Sequence, residues 1–231
     1  MQKIANKLVY DSVAEMVVPS RCALLVVDMQ NEFCSPEGIP GKAGIDVGPV
    51  QKIVSPIRRL LSAARNAGVR VIFFRQSHEK DLANVSPARL SFYAALYAGK
   101  LSPFHAIRGT WGHEIIPELE PIEGEHVINK DRSSGFIATN LDLLLRSNKI
   151  ETVVITGMAT HACVESTARD AGFFDYYAVL ATDGVADYSA ELHNASLLTL
   201  KNRCYMSSSD ELISLWSKAS REVGREAVAV A

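Results

Sequence analysis

The chain has 231 residues, 48% of them hydrophobic, and a formal net charge of −2. That length and apolar content suit a single α/β domain over residues 1–231 with a sizeable core. Acids and bases are interspersed, so neither a nucleic-acid stripe nor a polybasic membrane patch is present, and no apolar run approaches a membrane-crossing helix.

Residues 1–20 read as an N-terminal extension without the apolar stretch of a secretion signal, so a cytoplasmic protein is expected. Cys22 to Val27 (CALLVV) is a continuous apolar strand of the kind found in parallel sheets covered on both faces. Val47 to Ala67 is mainly helical, complicated by Pro49 and Pro56 and closed by Gly68. Val69 to Phe74 (VRVIFF) is a second strand. Residues 75–112 then break the rhythm, mixing Pro87, Gly99, Pro103, Gly109 and Gly112 with Phe92, Tyr93, Tyr97, Phe104 and Trp111. This excursion is too apolar for a disordered segment. It should cover a pocket or pack on another subunit.

His126 to Asn129 is a short strand and Thr139 to Ser147 a helix with Leu141, Leu144 and Leu145 inward. Glu151 to Thr156 (ETVVIT) and Tyr176 to Ala181 are buried strands. His161 to Phe174 and Ser189 to Asn202 are helices, Cys204 to Ser207 an edge strand and Asp210 to Glu222 a closing helix. Repeated strand–helix alternation predicts a three-layer, Rossmann-like α/β fold, a mainly parallel six-stranded sheet flanked by helices.

Ligands of open α/β sheets bind beyond the carboxyl ends of the strands. Asp28 follows CALLVV, Lys130 follows the strand at His126, and Cys163 follows ETVVIT. The predicted topology brings all three to one sheet edge. Cys163 falls in the first turn of a helix, where the helix dipole favours thiolate. Asp28 would act as general base, Lys130 would stabilise the anions, and backbone N–H groups of Ala159 and Cys163 would hold an oxyanion. Attack on a carbonyl would give a thioester after loss of an amine or ammonia. The other cysteines, Cys22, Cys34 and Cys204, form no CxxC pair and no zinc-like spacing with histidine.

Three blocks resemble the isochorismatase-like cysteine hydrolase superfamily. They are LLVVDMQNEF (Leu24 to Phe33), INK (Ile128 to Lys130) followed by SGF (Ser134 to Phe136), and TGMATHACVESTARD (Thr156 to Asp170). The superfamily includes nicotinamidases, N-carbamoylsarcosine amidases, ureidoacrylate amidohydrolases and biuret hydrolases. The resemblance implies an Asp28–Lys130–Cys163 triad, a cis peptide at Met158–Ala159, a small amide or ureide substrate and a homo-oligomer, dimer or tetramer. It also implies an aromatic beside the substrate at Phe33.

Departures from the family pattern narrow the reading. The Asp-x-His metal motif of nicotinamidases is absent from Arg75 to Asp81, so no metal and no cofactor are expected, with His78 a polar pocket or surface residue. The nucleophilic Cys163 argues for C–N hydrolysis rather than vinyl-ether cleavage. Phe33, Trp111, Phe136 and His161 are candidate substrate-binding residues, although aromatics serve cores as readily as sites. Arg75 and Asn31 are further candidates for a polar contact. Features point both to the ureidoacrylate and to the biuret branch. Two other readings use the same residues: a redox-reactive thiol protein, and a catalytically silent scaffold of the same fold.

Overall fold

The fold is given by a computed structural model that describes residues 1–95, 102 and 104–229, with side chains to residue 221. Tyr97, Gly99 and Pro103 of the excursion lie outside the described residues.

The N-terminus forms a small antiparallel hairpin, β1 (Gln2–Ile4) with β2 (Lys7–Val9). Its turn residues Ala5 and Asn6 both have positive φ, as tight hairpin turns require. The main sheet contains β3 (Cys22–Val27), β4 (Arg70–Gln76), β5 (His126–Lys130), β6 (Thr152–Met158), β7 (Tyr177–Ala186) and β8 (Tyr205–Ser207). Their order is β5-β4-β3-β6-β7-β8, and every neighbouring pair is parallel. β3 lies inside this sheet, which explains why all six of its residues are apolar and buried.

Alternation along the strands divides the core in two. Cys22, Leu24 and Val26 of β3, with Val71 and Phe73 of β4, face one apolar cluster. Helix α1 (Val54–Ala67) completes it through Ile57, Leu60, Leu61 and Ala64, together with Leu212 and Trp216 of the closing helix at Ser209–Ala229. Ala23, Leu25 and Val27, with Ile72 and Phe74, face the opposite cluster. There they meet Leu141 and Leu145 of the helix at Leu141–Ser147, and Ala168 and Ala171 of the helix at Glu165–Phe173. Two helical layers thus sandwich one sheet, the predicted three-layer architecture.

Local chemistry corrects the predicted boundaries. The helix expected over 47–67 is two pieces, Gly48–Lys52 and Val54–Ala67. Pro49 and Pro56 each sit in the first turn of their own piece, where the missing N–H has no helical partner to lose. Helix α1 ends on Gly68 at φ +72°, a left-handed C-cap. The helix expected to start at His161 begins as a wide π turn over Thr160–Val164, with Val164 N–H donating to Ala159 O at 3.2 Å, and becomes regular only from Glu165.

The described residues of the excursion include helix α2 (Pro87–Ala95) and a parallel bridge between His78 and Ile107. These described parts lie beside the carboxyl ends of β3 and β4, near Asp28 and Cys163.

Candidate active site

Asp28 sits immediately beyond β3 at φ +53°, a left-handed conformation that aspartate tolerates better than most residues. The turn is held by its N–H, which donates to Phe74 O at 3.1 Å, and by its carbonyl, which accepts from Gln30 N–H at 2.8 Å. Lys130 ends β5 and is fully buried. Its Nζ lies 2.8 Å from Asp28 Oδ2 and 3.2 Å from Cys163 Sγ, and donates to Gln76 Oε1 at 3.1 Å and Arg132 O at 3.2 Å. The sheet therefore brings together Asp28, Lys130 and Cys163 from three separate sequence regions. Asp28 Oδ1 is buried without a hydrogen-bond partner among the described residues.

Burial acts to lower the Lys130 pKa, but the charge of Asp28 and its hydrogen bond to the ammonium outweigh it and hold the group above its ordinary value. For Cys163 the balance goes the other way. Burial pushes its thiol up to about 12, against the lowering by Lys130, and the Asp28 carboxylate adds to the rise. The lowering expected of a helix start is thus corrected in direction: desolvation outweighs the neighbouring ammonium.

The nucleophile loop is shaped by tight backbone packing. The Met158–Ala159 peptide is cis, at the position implied by the family resemblance. Gly157 adopts φ +110°, and a Cβ there would lie 2.0 Å from Val27 O. Thr167 Oγ1 donates to Cys163 O at 2.7 Å and accepts from Gly135 N–H at 2.9 Å, tying the turn to the loop after β5.

These residues open onto a cavity of about 100 Å³. Asp28, Phe33, Ala159, His161 and Cys163 all line it. His161 Nδ1 pairs with buried Asp187 Oδ2 at 2.5 Å, and that hydrogen bond raises the imidazole pKa despite burial. Trp111 is elsewhere: 54% exposed, it lines a separate surface groove with Asn31, Cys34 and Pro117. Phe136 is also outside the cavity, buried and stacked on Phe174 at 5.1 Å. Arg75 is held at the surface by Glu114 and Asn129, and Asn31 donates to Trp111 O.

Further residues of the site escaped the sequence reading. Gln76, at the end of β4, links Lys130 to His78: its Oε1 accepts from Lys130 and its Nε2 lies 3.2 Å from His78 Nε2. Because that amide donates, the His78 Nε2 is the acceptor and its Nδ1–H donates to His105 O at 3.0 Å. His78 is thus a buried, neutral polar connector. Arg89 and Tyr93 of α2, with His105, form the wall across the cavity, and Tyr188 and Met158 complete it. Gln76 could have been found from its place at the carboxyl end of the second strand; the wall residues carried no such positional signal.

Residues 22–211 match the family model for the isochorismatase domain. The chain belongs to the isochorismatase family. It is 36% identical over 181 residues to the ureidoacrylate amidohydrolase RutB of Serratia proteamaculans, an alignment covering 71% of this chain and 69% of that protein. Among solved structures it resembles a cysteine hydrolase from Pseudomonas syringae pv. phaseolicola, with TM-score 0.76 and 29% identity over 87% of this chain and 94% of that one. It also resembles an N-carbamoylsarcosine amidase from Thermoplasma acidophilum, with TM-score 0.66 and 30% identity over 82% of this chain and 97% of that one. The chain is therefore an isochorismatase-family hydrolase, and no helix among its described residues is long and apolar enough to cross a membrane.

Proposed function

We propose that the protein is a cysteine amidohydrolase that cleaves the C–N bond of a small carboxamide or ureide through a thioester on Cys163. The carrying observation is the buried contact of Lys130 with both Asp28 and Cys163, at 2.8 and 3.2 Å, the latter two lining a small cavity.

Each group has a defined task. Asp28 Oδ1 takes the proton of the Cys163 thiol as Sγ attacks the carbonyl carbon. Lys130 stays protonated and stabilises the anionic charge as it moves between carboxylate, sulfur and substrate. The carbonyl oxygen becomes an oxyanion that accepts from the backbone N–H groups of Ala159 and Cys163. Asp28 returns the proton to the leaving nitrogen, the C–N bond breaks, and ammonia or an amine departs. Water then attacks the thioester, Asp28 accepts its proton, and the acid leaves as the thiol re-forms. The high resting pKa of Cys163 fits this order, in which deprotonation accompanies attack rather than preceding it.

No metal enters these steps, so activity should withstand a chelator. Phe33 forms an apolar wall of the cavity and His161 a polar one. Assembly as a homo-oligomer is supported by apolar residues exposed on the helices of one sheet face, Leu143, Phe173 and Leu198, and light scattering measures it.

The deciding experiment measures ammonia release from ureides, carbamoyl amino acids and simple carboxamides by wild type and Cys163→Ala. Release by wild type alone, with an acyl adduct on Cys163 seen by mass spectrometry after rapid quenching, is the expected result. Turnover by Cys163→Ala would overturn the proposal.

A further inference from the structure

The cavity contains an unneutralised cation that the proposed bond cleavage does not use. Arg89 reaches the cavity from α2, half-buried. Its Nε donates to Tyr93 Oη at 2.9 Å, and its guanidinium carbon lies 5.0 Å above the centre of the Tyr93 ring. These contacts fix the side chain but occupy only one edge of the fork. No acid lies within ion-pairing distance of Arg89 among the described residues, and its two terminal amino groups have no hydrogen-bond partner among them.

The remaining charges of the cavity are compensated. Asp28, an acid of the lining, is paired with Lys130, and His161 is paired with Asp187 behind it. Arg89 is therefore the charged side chain of this lining that has no partner of opposite sign among the described residues. A planar guanidinium with two free terminal groups matches a carboxylate in bidentate geometry. Arg89 shares this lining with Asp28 and Cys163, so an acid group held there belongs to the same bound molecule as the scissile carbonyl.

We infer that Arg89 is a specificity-determining residue that anchors a carboxylate of the substrate, so that the preferred substrate is a short ureide or carboxamide bearing an acid group. This rests on the amidohydrolase reading.

The test compares N-carbamoyl-β-alanine with 3-methylbutylurea, in which a neutral isopropyl group replaces the carboxylate. Wild type should prefer the acid. Arg89→Met should lower the ratio of kcat/KM for acid over neutral compound roughly 10- to 100-fold, through KM, as expected for loss of a charge-assisted pair. Arg89→Lys should recover part of that ratio, since it restores charge without the fork. A ratio that changes less than twofold in Arg89→Met, or an equal loss of kcat on both compounds, would overturn the anchor and leave Arg89 a support of α2.

Calorimetry on the Cys163→Ala protein separates this inference from the hydrolase reading. Binding of the acid should weaken by the same factor on adding Arg89→Met. If wild type hydrolyses neither compound yet Cys163→Ala binds the acid in this Arg89-dependent way, the hydrolase reading fails and the anchor stands. Equal binding of the acid with and without Arg89, or none, rejects the anchor whatever the turnover.

Discussion

Lys130 Nζ lies 2.8 Å from Asp28 Oδ2 although β5 and β3 are not neighbours, because the pair spans the end of β4. Both side chains are almost fully buried, at 0% and 3% exposure. The strand between them contributes Gln76, whose Oε1 accepts from the same ammonium. A buried ion pair of this kind contributes little net stability as a unit, but removing one partner leaves a charge without compensation.

Lys130→Met should therefore abolish turnover and also destabilise the fold by roughly 3–5 kcal/mol. Adding Asp28→Asn removes the stranded charge, so the double variant should recover much of that stability while staying inactive. Urea unfolding midpoints at neutral pH measure both. A single variant as stable as wild type would show that the pair is not held in the buried state.

Cys163 should react slowly with alkylating agents at pH 7. Its thiol is pushed up to about 12 by burial, so the thiolate fraction at neutral pH is small despite Lys130. Iodoacetamide should label it more slowly than it labels the same cysteine in the unfolded chain, with a rate that rises as pH rises. Peroxide should inactivate the enzyme slowly for the same reason. Labelling at pH 7 faster than in denaturant would mean that the resting group is a thiolate, and would revive the redox-thiol reading.

Much of the site was legible because parallel sheets put chemistry at strand ends. Asp28 and Cys163 follow recognisable apolar runs and Lys130 a short strand, and their convergence depends only on strand polarity. The aromatic candidates divided because local sequence carries no information on which wall a ring faces. Phe33 lines the cavity, whereas Phe136 packs on Phe174 and Trp111 lies in another groove. Arg89 and Tyr93 were unreadable for a related reason: α2 lies in the irregular excursion, and only tertiary contact places it over the sheet edge. The N-terminal hairpin was missed because its strands are three residues each and largely exposed, leaving no burial pattern to read.

Acid should destabilise the fold through three buried histidines. His78, His105 and His113 are each pushed down to about 4, in each case chiefly by burial, from an ordinary value near 6.5. Below pH 6.5 the unfolded chain takes up protons that the folded chain refuses, so stability falls between pH 6.5 and 4. The slope is at most about 1.4 kcal/mol per pH unit for each histidine. His161 works in the opposite sense. Asp187 raises its pKa, so its contribution is complete below 6.5 and is lost as pH rises through the raised value. Thermal melts from pH 7 down to pH 4 should show the net loss, smaller in His105→Gln. A flat profile over that range would contradict the burial of these rings.

Gly157→Ala should be among the most damaging small substitutions in the chain. Gly157 pairs with Val27 across β6 and β3. Its φ of +110° is a region that residues with a Cβ rarely adopt, and an added methyl would lie 2.0 Å from Val27 O and 2.7 Å from Val27 N. Those are backbone atoms of the sheet centre, so no side-chain rotation relieves the clash. The strands must separate, or the glycine must change conformation. Either change moves Asp28, which directly follows Val27, relative to Cys163, six residues beyond Gly157. Strain of this type costs about 1–3 kcal/mol even before the overlap is counted. Expected outcomes are a lower melting temperature and a kcat reduced by at least tenfold with soluble, folded protein still obtained. For contrast, Gly172→Ala lies where a methyl meets nothing within 4 Å, in the helix at Glu165–Phe173. That change should be neutral or stabilising by up to about 1 kcal/mol, since alanine is the better helix former. Equal behaviour of the two variants would show that the close approach of Gly157 to Val27 does not set the spacing between base and nucleophile.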